Sequence, residues 1–107
     1  MKQVTEEELF GWAERHGDRA GVFLYTPLCG TCKVAERMLG VVERMLPDLP
    51  LFACDVNYAP RLVESWQVRS VPGLAVIQDG KLLRVRYAMG GADELYAFLA
   101  EDAGQSE

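Results

Sequence analysis

The chain has 107 residues, half of them apolar and a quarter charged, with a formal net charge of -5. That length predicts one domain over 1–107, able to bury a core without a metal or disulfide staple. The acidic balance excludes nucleic acid and an anionic membrane surface as partners, because either needs a basic face to meet phosphate.

Thr5 followed by Glu6, Glu7 and Glu8 predicts a helix start, with Thr5 as N-cap and Glu8 closing a capping box. The three acids read as a solvated first turn. Leu9, Phe10, Trp12 and Ala13 supply an apolar face, and Gly17 ends the helix. His16 lies in the last turn, where a cation suits the helix dipole and a surface role is expected. GVFLYT (21–26) is a short apolar, aromatic run, the mark of a buried strand. From Gly30 to Leu46, residues Val34, Ala35, Met38, Leu39, Val42 and Met45 recur at helical spacing, and Pro47 stops the run.

LPLFACDV (49–56) reads as a second buried strand in which Cys54 fills core, with Asp55 and Asn57 shaping the turn that follows. PRLVESWQV (60–68) predicts a short helix opening on Pro60. GLAVIQ and KLLRVRY flank Asp79-Gly80, a strong hairpin signal. In the second of these strands Leu83, Val85 and Tyr87 alternate against Arg84 and Arg86, predicting one dry and one wet face. Tyr25 and Trp66 read as packing aromatics. ADELYAFLAEDA (92–103) is a final amphipathic helix with a solvated Glu101–Asp102 edge, and GQSE is a frayed end. The order helix, strand, helix, strand, helix, strand, strand, helix predicts an α/β sandwich with helices on both faces and an antiparallel edge.

No apolar run reaches the roughly 20 residues of a membrane helix, and the N-terminus has no secretory h-region. Three cysteines in such a chain fit a reducing, cytoplasmic setting, where cysteine pairs are catalytic or metal-binding rather than structural. Cys29 and Cys32 stand three positions apart at the start of the second helix, which places them on one helix face with Cα atoms about 5 Å apart, within disulfide reach. The unpaired N–H groups of a first turn favour negative charge, so Cys29 at the tip is the expected nucleophile and Cys32 the resolving thiol. A zinc site needs four ligands, and Cys54 and His16 belong to other elements with no companion motif. Two CGTC motifs shared by a dimer around a metal or iron–sulfur cluster would also satisfy four ligands.

CGTC at a strand-to-helix junction, followed by VRSVPGLAVIQDGK (68–81), resembles the thioredoxin family from about Thr5 to Ala103. The resemblance implies the thioredoxin fold, a central mixed β-sheet flanked by helices on both faces, with Pro72 as the cis-proline facing the cysteines. It implies a thiol–disulfide oxidoreductase whose electrons reside in a Cys29–Cys32 disulfide, with no bound cofactor. Expected partners are disulfide-containing proteins or low-molecular-weight thiols, with electrons supplied by an NADPH-dependent thioredoxin reductase; a monomer is expected. A redox-sensing or interaction module with little turnover is the alternative. Leu28, Gly30, Thr31, Val71, Pro72 and Met89 form the expected substrate-contacting set, with an extended substrate along the Val71 backbone.

Four positions depart from the family pattern. Leu28 stands where a tryptophan is usual and Thr31 where proline separates the cysteines. Phe23, six residues before Cys29, replaces a buried aspartate, and Ala53 falls where its neighbouring lysine would be. Cys32 therefore loses its usual proton acceptor, leaving water or the departing thiolate. A Thr31 hydroxyl bonded toward sulfur would make the pair more oxidising than a typical thioredoxin.

Overall fold

The structure, a computed structural model, describes residues 1–101; Asp102, the expected helical extension to Ala103 and the GQSE terminus lie outside the described residues. In chain order the elements are β1 (Lys2–Gln3), α1 (Glu6–Arg15), β2 (Ala20–Tyr25), α2 (Gly30–Met45), β3 (Leu51–Asp55), a 3-10 turn (Val56–Tyr58), α3 (Pro60–Trp66), β4 (Gly73–Gln78), β5 (Lys81–Arg86) and α4 (Ala92–Ala100). They build one five-stranded sheet in the order β1-β3-β2-β4-β5. The first three strands of that order run parallel, whereas β4 is antiparallel to both β2 and β5. This is the thioredoxin fold, a mixed sheet with helices on both faces. The added strand β1 escaped prediction because two residues carry no period; only pairing of Lys2 with Phe52 and Gln3 with Ala53 makes them a strand.

Successive residues of a strand face opposite ways, so β2 feeds two cores. Val22 and Leu24 pack with Leu9 of α1 and Leu62 of α3. Phe23 packs on the other face with Leu39 of α2 and Leu95 of α4. Gly21 keeps that second interface close: a Cβ there would stand 2.5 Å from Leu51 Cδ1 and 2.9 Å from Leu99 Cδ2.

The capping box of α1 forms as expected. The Glu8 N–H donates to Thr5 Oγ1 over 3.1 Å, and the Thr5 N–H to Glu8 Oε1 over 2.8 Å. The helix ends at Arg15, with His16 in extended conformation and its ring stacked on Trp12 at 5.2 Å. Glu6 is a correction to the solvated acidic turn: it is only 3% exposed. Its Oε1 accepts the buried Leu62 N–H over 2.9 Å. Ala59 precedes α3 and has no side chain to cap it. An acid from α1 therefore satisfies one of the open N–H groups of that first turn.

Asp79 and Gly80 both take positive φ, 55° and 74°, as a two-residue hairpin turn requires. The alternation expected in β5 does not survive intact. Val76 pairs with Arg84 and Ile77 with Leu82, so Leu83 is an extra residue in a bulge. Leu82 joins Val85 against the core and Leu83 is left exposed. Arg84 reaches α4 instead, donating from one Nη2 to the carbonyls of Phe98 (2.9 Å) and Glu101 (3.2 Å) with its guanidinium over the Phe98 ring. It thereby caps the helix end with a cation. Glu101 is extended, so α4 stops at Ala100.

Candidate active site

β2 ends at Tyr25 and the chain turns through Thr26–Leu28 before α2, with the Cys29 N–H donating to the Thr26 carbonyl over 3.3 Å. Cys29 is the N-cap of α2, and its Sγ accepts the Cys32 N–H over 3.1 Å. A sulfur thus takes the place of the Ser or Asp oxygen usual at this position. Thr31 Oγ1 lies 3.4 Å from the same sulfur, the hydroxyl contact that the CGTC sequence suggested. Cys29 and Cys32 form a disulfide with Cα atoms 5.2 Å apart.

The two sulfurs have different surroundings. Cys32 is 3% exposed, buried with Phe23, Ala35, Leu39 and Leu74, whereas Cys29 is half-buried at the edge of that cluster. Phe23 and Ala53 are register partners on β2 and β3, and both belong to the same apolar cluster. The acid and the base that the family usually stations there are replaced by packing groups.

Val71 and Met89 also pack against the cluster that holds Cys32. The Val71–Pro72 peptide bond is cis. Thr31, Pro72 and Met89 line one groove, together with Val34, Met38 and Tyr87. Leu28 stands apart, 98% exposed on the turn, and a Cβ on Gly30 would meet nothing within 4 Å. Val34 and Met45, two of the apolar residues that recur at helical spacing, are exposed on the flank of α2. Spacing identifies an apolar stripe but not how wide the covered part is.

Tyr87 is the residue that sequence reasoning passed over. Its hydroxyl accepts the Arg69 N–H over 3.1 Å, and its ring lies 4.8 Å beneath the Arg69 guanidinium. The segment leading to Pro72 is thus tied to the end of β5. The only available signal was an aromatic at a strand end, and such residues usually pack in cores. Tyr25 does pack, stacked on Phe23 at 5.7 Å, and Trp66 lies against the α1/α3 core.

Cys54 occupies the other face of the sheet, buried with Leu9 and Leu62. Burial first, and then Glu6 and Asp55, push its thiol up to about 11. Because the folded value lies above the unfolded one, near 9, this thiol's contribution is fully present below pH 9. It is lost as pH rises through 11, by about 2–3 kcal/mol in all. Urea midpoints of the wild type should therefore fall more steeply between pH 9 and 11 than those of Cys54→Ala; parallel profiles would contradict it. Among the described residues no three His, Cys, Asp or Glu side chains cluster to hold a metal ion, and no helix is long and apolar enough to cross a membrane.

The thioredoxin family profile matches residues 4–101. The chain belongs to the thioredoxin family. It is 35% identical to the thioredoxin-like protein YusE of Bacillus subtilis over 106 residues, covering 99% of this chain and 97% of that protein. The thioredoxin of Chlamydia trachomatis is 26% identical over 101 residues, covering 94% of this chain and 98% of its own. Among solved structures, oxidized mitochondrial thioredoxin 3 of Saccharomyces cerevisiae superposes with a TM-score of 0.79 at 20% identity, covering 92% of each chain. A thioredoxin of Halobacterium salinarum gives 0.78 at 21% identity, over 92% of this chain and 88% of that one. These structures share the thioredoxin fold with the chain, and its redox-active centre is the Cys29–Cys32 disulfide.

Proposed function

We propose that this thioredoxin-like protein is a single-domain thiol–disulfide oxidoreductase acting on protein disulfides, with Cys29 as nucleophile and Cys32 as resolving thiol. The observation that carries the reading is the asymmetry of the pair at the N-terminus of α2: a half-buried Cys29 sulfur that already accepts one N–H and faces one hydroxyl, above a buried Cys32. Those donors and the helix dipole favour a thiolate at Cys29. The thiolate attacks one sulfur of a substrate disulfide, forming a mixed disulfide and expelling the other sulfur as thiolate. Cys32 then attacks the Cys29 sulfur, closing the intramolecular disulfide and releasing the second substrate thiol. Two electrons pass from the pair to the substrate, and the Cys32 proton goes to the departing thiolate or to water, since Phe23 and Ala53 offer no acceptor. The reverse sequence oxidises a dithiol.

The substrate lies extended along the Val71 backbone, with Gly30 leaving its approach open and Pro72 and Met89 at its side. An NADPH-dependent thioredoxin reductase is the expected electron donor, and the cytosol the expected compartment. The test is a trap. Cys32→Ser should accumulate mixed disulfides through Cys29, and Cys29→Ser should abolish insulin reduction, by at least about 1,000-fold in kcat/KM. Turnover that survives Cys29→Ser would overturn the assignment. The missing acceptor beside Cys32 favours one second reading, a redox-sensing module with slow turnover. An intact, titratable pair that does not turn over insulin supports the sensor.

A further inference from the structure

We propose that Tyr87 is a positioning residue for polypeptide substrates. Through its hydroxyl and its ring it clasps the segment from Arg69 to Gly73, so that the Val71 backbone is already ordered when a substrate arrives. The inference rests on the reading of Val71 as the place where an extended substrate lies, and adds the residue that keeps this place competent.

The segment has little else to hold it. The Val68 N–H donates to the Val63 carbonyl over 3.0 Å, closing the turn after α3, and β4 begins only at Gly73. Among the described residues, the one hydrogen bond made by the backbone of Arg69, Ser70 and Val71 is that of the Arg69 N–H to the Tyr87 hydroxyl, 3.1 Å long. Elsewhere the segment borders a cleft of about 210 Å³ shared with Val56 and Val63. The N–H and C=O groups of Ser70 and Val71 are thus open to an extended substrate, and no ladder orders them in its absence.

Tyr87 reaches both ends of this segment. Its ring lies 4.8 Å beneath the Arg69 guanidinium. A Cβ built on Gly73 would stand 3.5 Å from Tyr87 Cε1, so the ring also lies against the residue that follows Pro72. Val71 and Pro72 sit between the two contacts. The anchor is itself fixed, because the neighbouring Arg86 donates to the Ala88 carbonyl and pairs with Glu94 of α4 at 3.2 Å. Order imposed beforehand spares the substrate the entropy cost of imposing it. Were the segment ordered only part of the time, polypeptides would bind more weakly in proportion. A disulfide too small to use the segment gains nothing from the clasp.

The test mixes the reduced protein with insulin and, separately, with hydroxyethyl disulfide, and reads the two second-order rate constants. In Tyr87→Phe the insulin-to-hydroxyethyl-disulfide ratio should fall about fivefold, the effect expected of one hydrogen bond. In Tyr87→Leu, which removes the ring as well, it should fall at least as far. A ratio is read because it cancels any change at Cys29 itself. A tyrosine that only packs would lower the urea midpoint when replaced and leave the ratio where it is. The wild type supplies a second measurement should neither variant fold. There the Arg69 amide should be protected from hydrogen exchange at least about 10 times better than the amides of Ser70 and Val71. An unchanged ratio in a folded variant, or equal protection at the three amides, overturns the clasp and leaves the proposed function standing. A wild type that reacts with neither disulfide overturns both.

Discussion

Replacing Glu6 by alanine is expected to destabilise the protein by about 2–4 kcal/mol, although two neighbouring acids of the same turn face solvent. Glu6 is 3% exposed and its Oε1 accepts the Leu62 N–H, a buried bond of 2.9 Å linking α1 to α3. Truncation leaves that donor unpaired, at about 1–3 kcal/mol, and empties space beside Leu62 that the core refills only in part. α3 has no substitute cap, because Ala59 cannot accept a hydrogen bond through its side chain. Glu6→Gln keeps a carbonyl acceptor and should recover more than half of the loss. Urea unfolding with an unchanged m-value measures both. A loss below 0.5 kcal/mol in Glu6→Ala would show that the bond is dispensable. A separate readout is Cys54: Glu6 is the second cause of its raised value, so in Glu6→Gln the thiol should titrate below about 11.

The second large effect concerns the redox equilibrium. Thr31→Val should make the pair more reducing by about 15–30 mV. The hydroxyl stands 3.4 Å from Cys29 Sγ. A thiolate accepts a hydrogen bond better than a disulfide sulfur does, so the contact strengthens on reduction and stabilises the dithiol form. A stabilised reduced form raises the potential, and about 30 mV corresponds to 1.4 kcal/mol, within the range of one hydrogen bond to a charged group. Thr31 is exposed, so the substitution leaves the core untouched. Thr31→Pro should shift the potential in the same direction. Equilibration with glutathione reads the potential, and the wild type should lie above the thioredoxin value of about -270 mV. A wild-type potential at or below that figure, or a Thr31→Val potential unchanged within about 5 mV, would refute the argument.

Much of the fold was legible because its signals are local. Thr5 and Glu8, Pro60, Pro47 and the Asp79-Gly80 pair each mark a boundary through backbone chemistry that needs no distant partner. The disulfide was legible for a similar reason, since a three-residue spacing at a helix start fixes the distance between the cysteines. The misses share the opposite cause. β1 exists only through pairing with β3, and the β5 bulge that turns Leu83 outward is a register shift against β4. No periodicity in 81–87 announces it.

Glu6 shows the division most clearly. Glu6, Glu7 and Glu8 are chemically identical, and local rules treat all three as solvated. One caps its own helix, one faces water, and one is buried against α3 because the chain crossing beside it lacks a cap. Around the cysteines, the residues CGTC and the strand-to-helix junction already contained the reactive pair and its helix dipole. The exposed flank of α2, the groove reaching Met89 and the Tyr87 tie to Arg69 came from the packing of three separate elements. Backbone chemistry acts between neighbours and can be read in order along the chain. Burial and docking depend on which surfaces remain uncovered once every element has found its place.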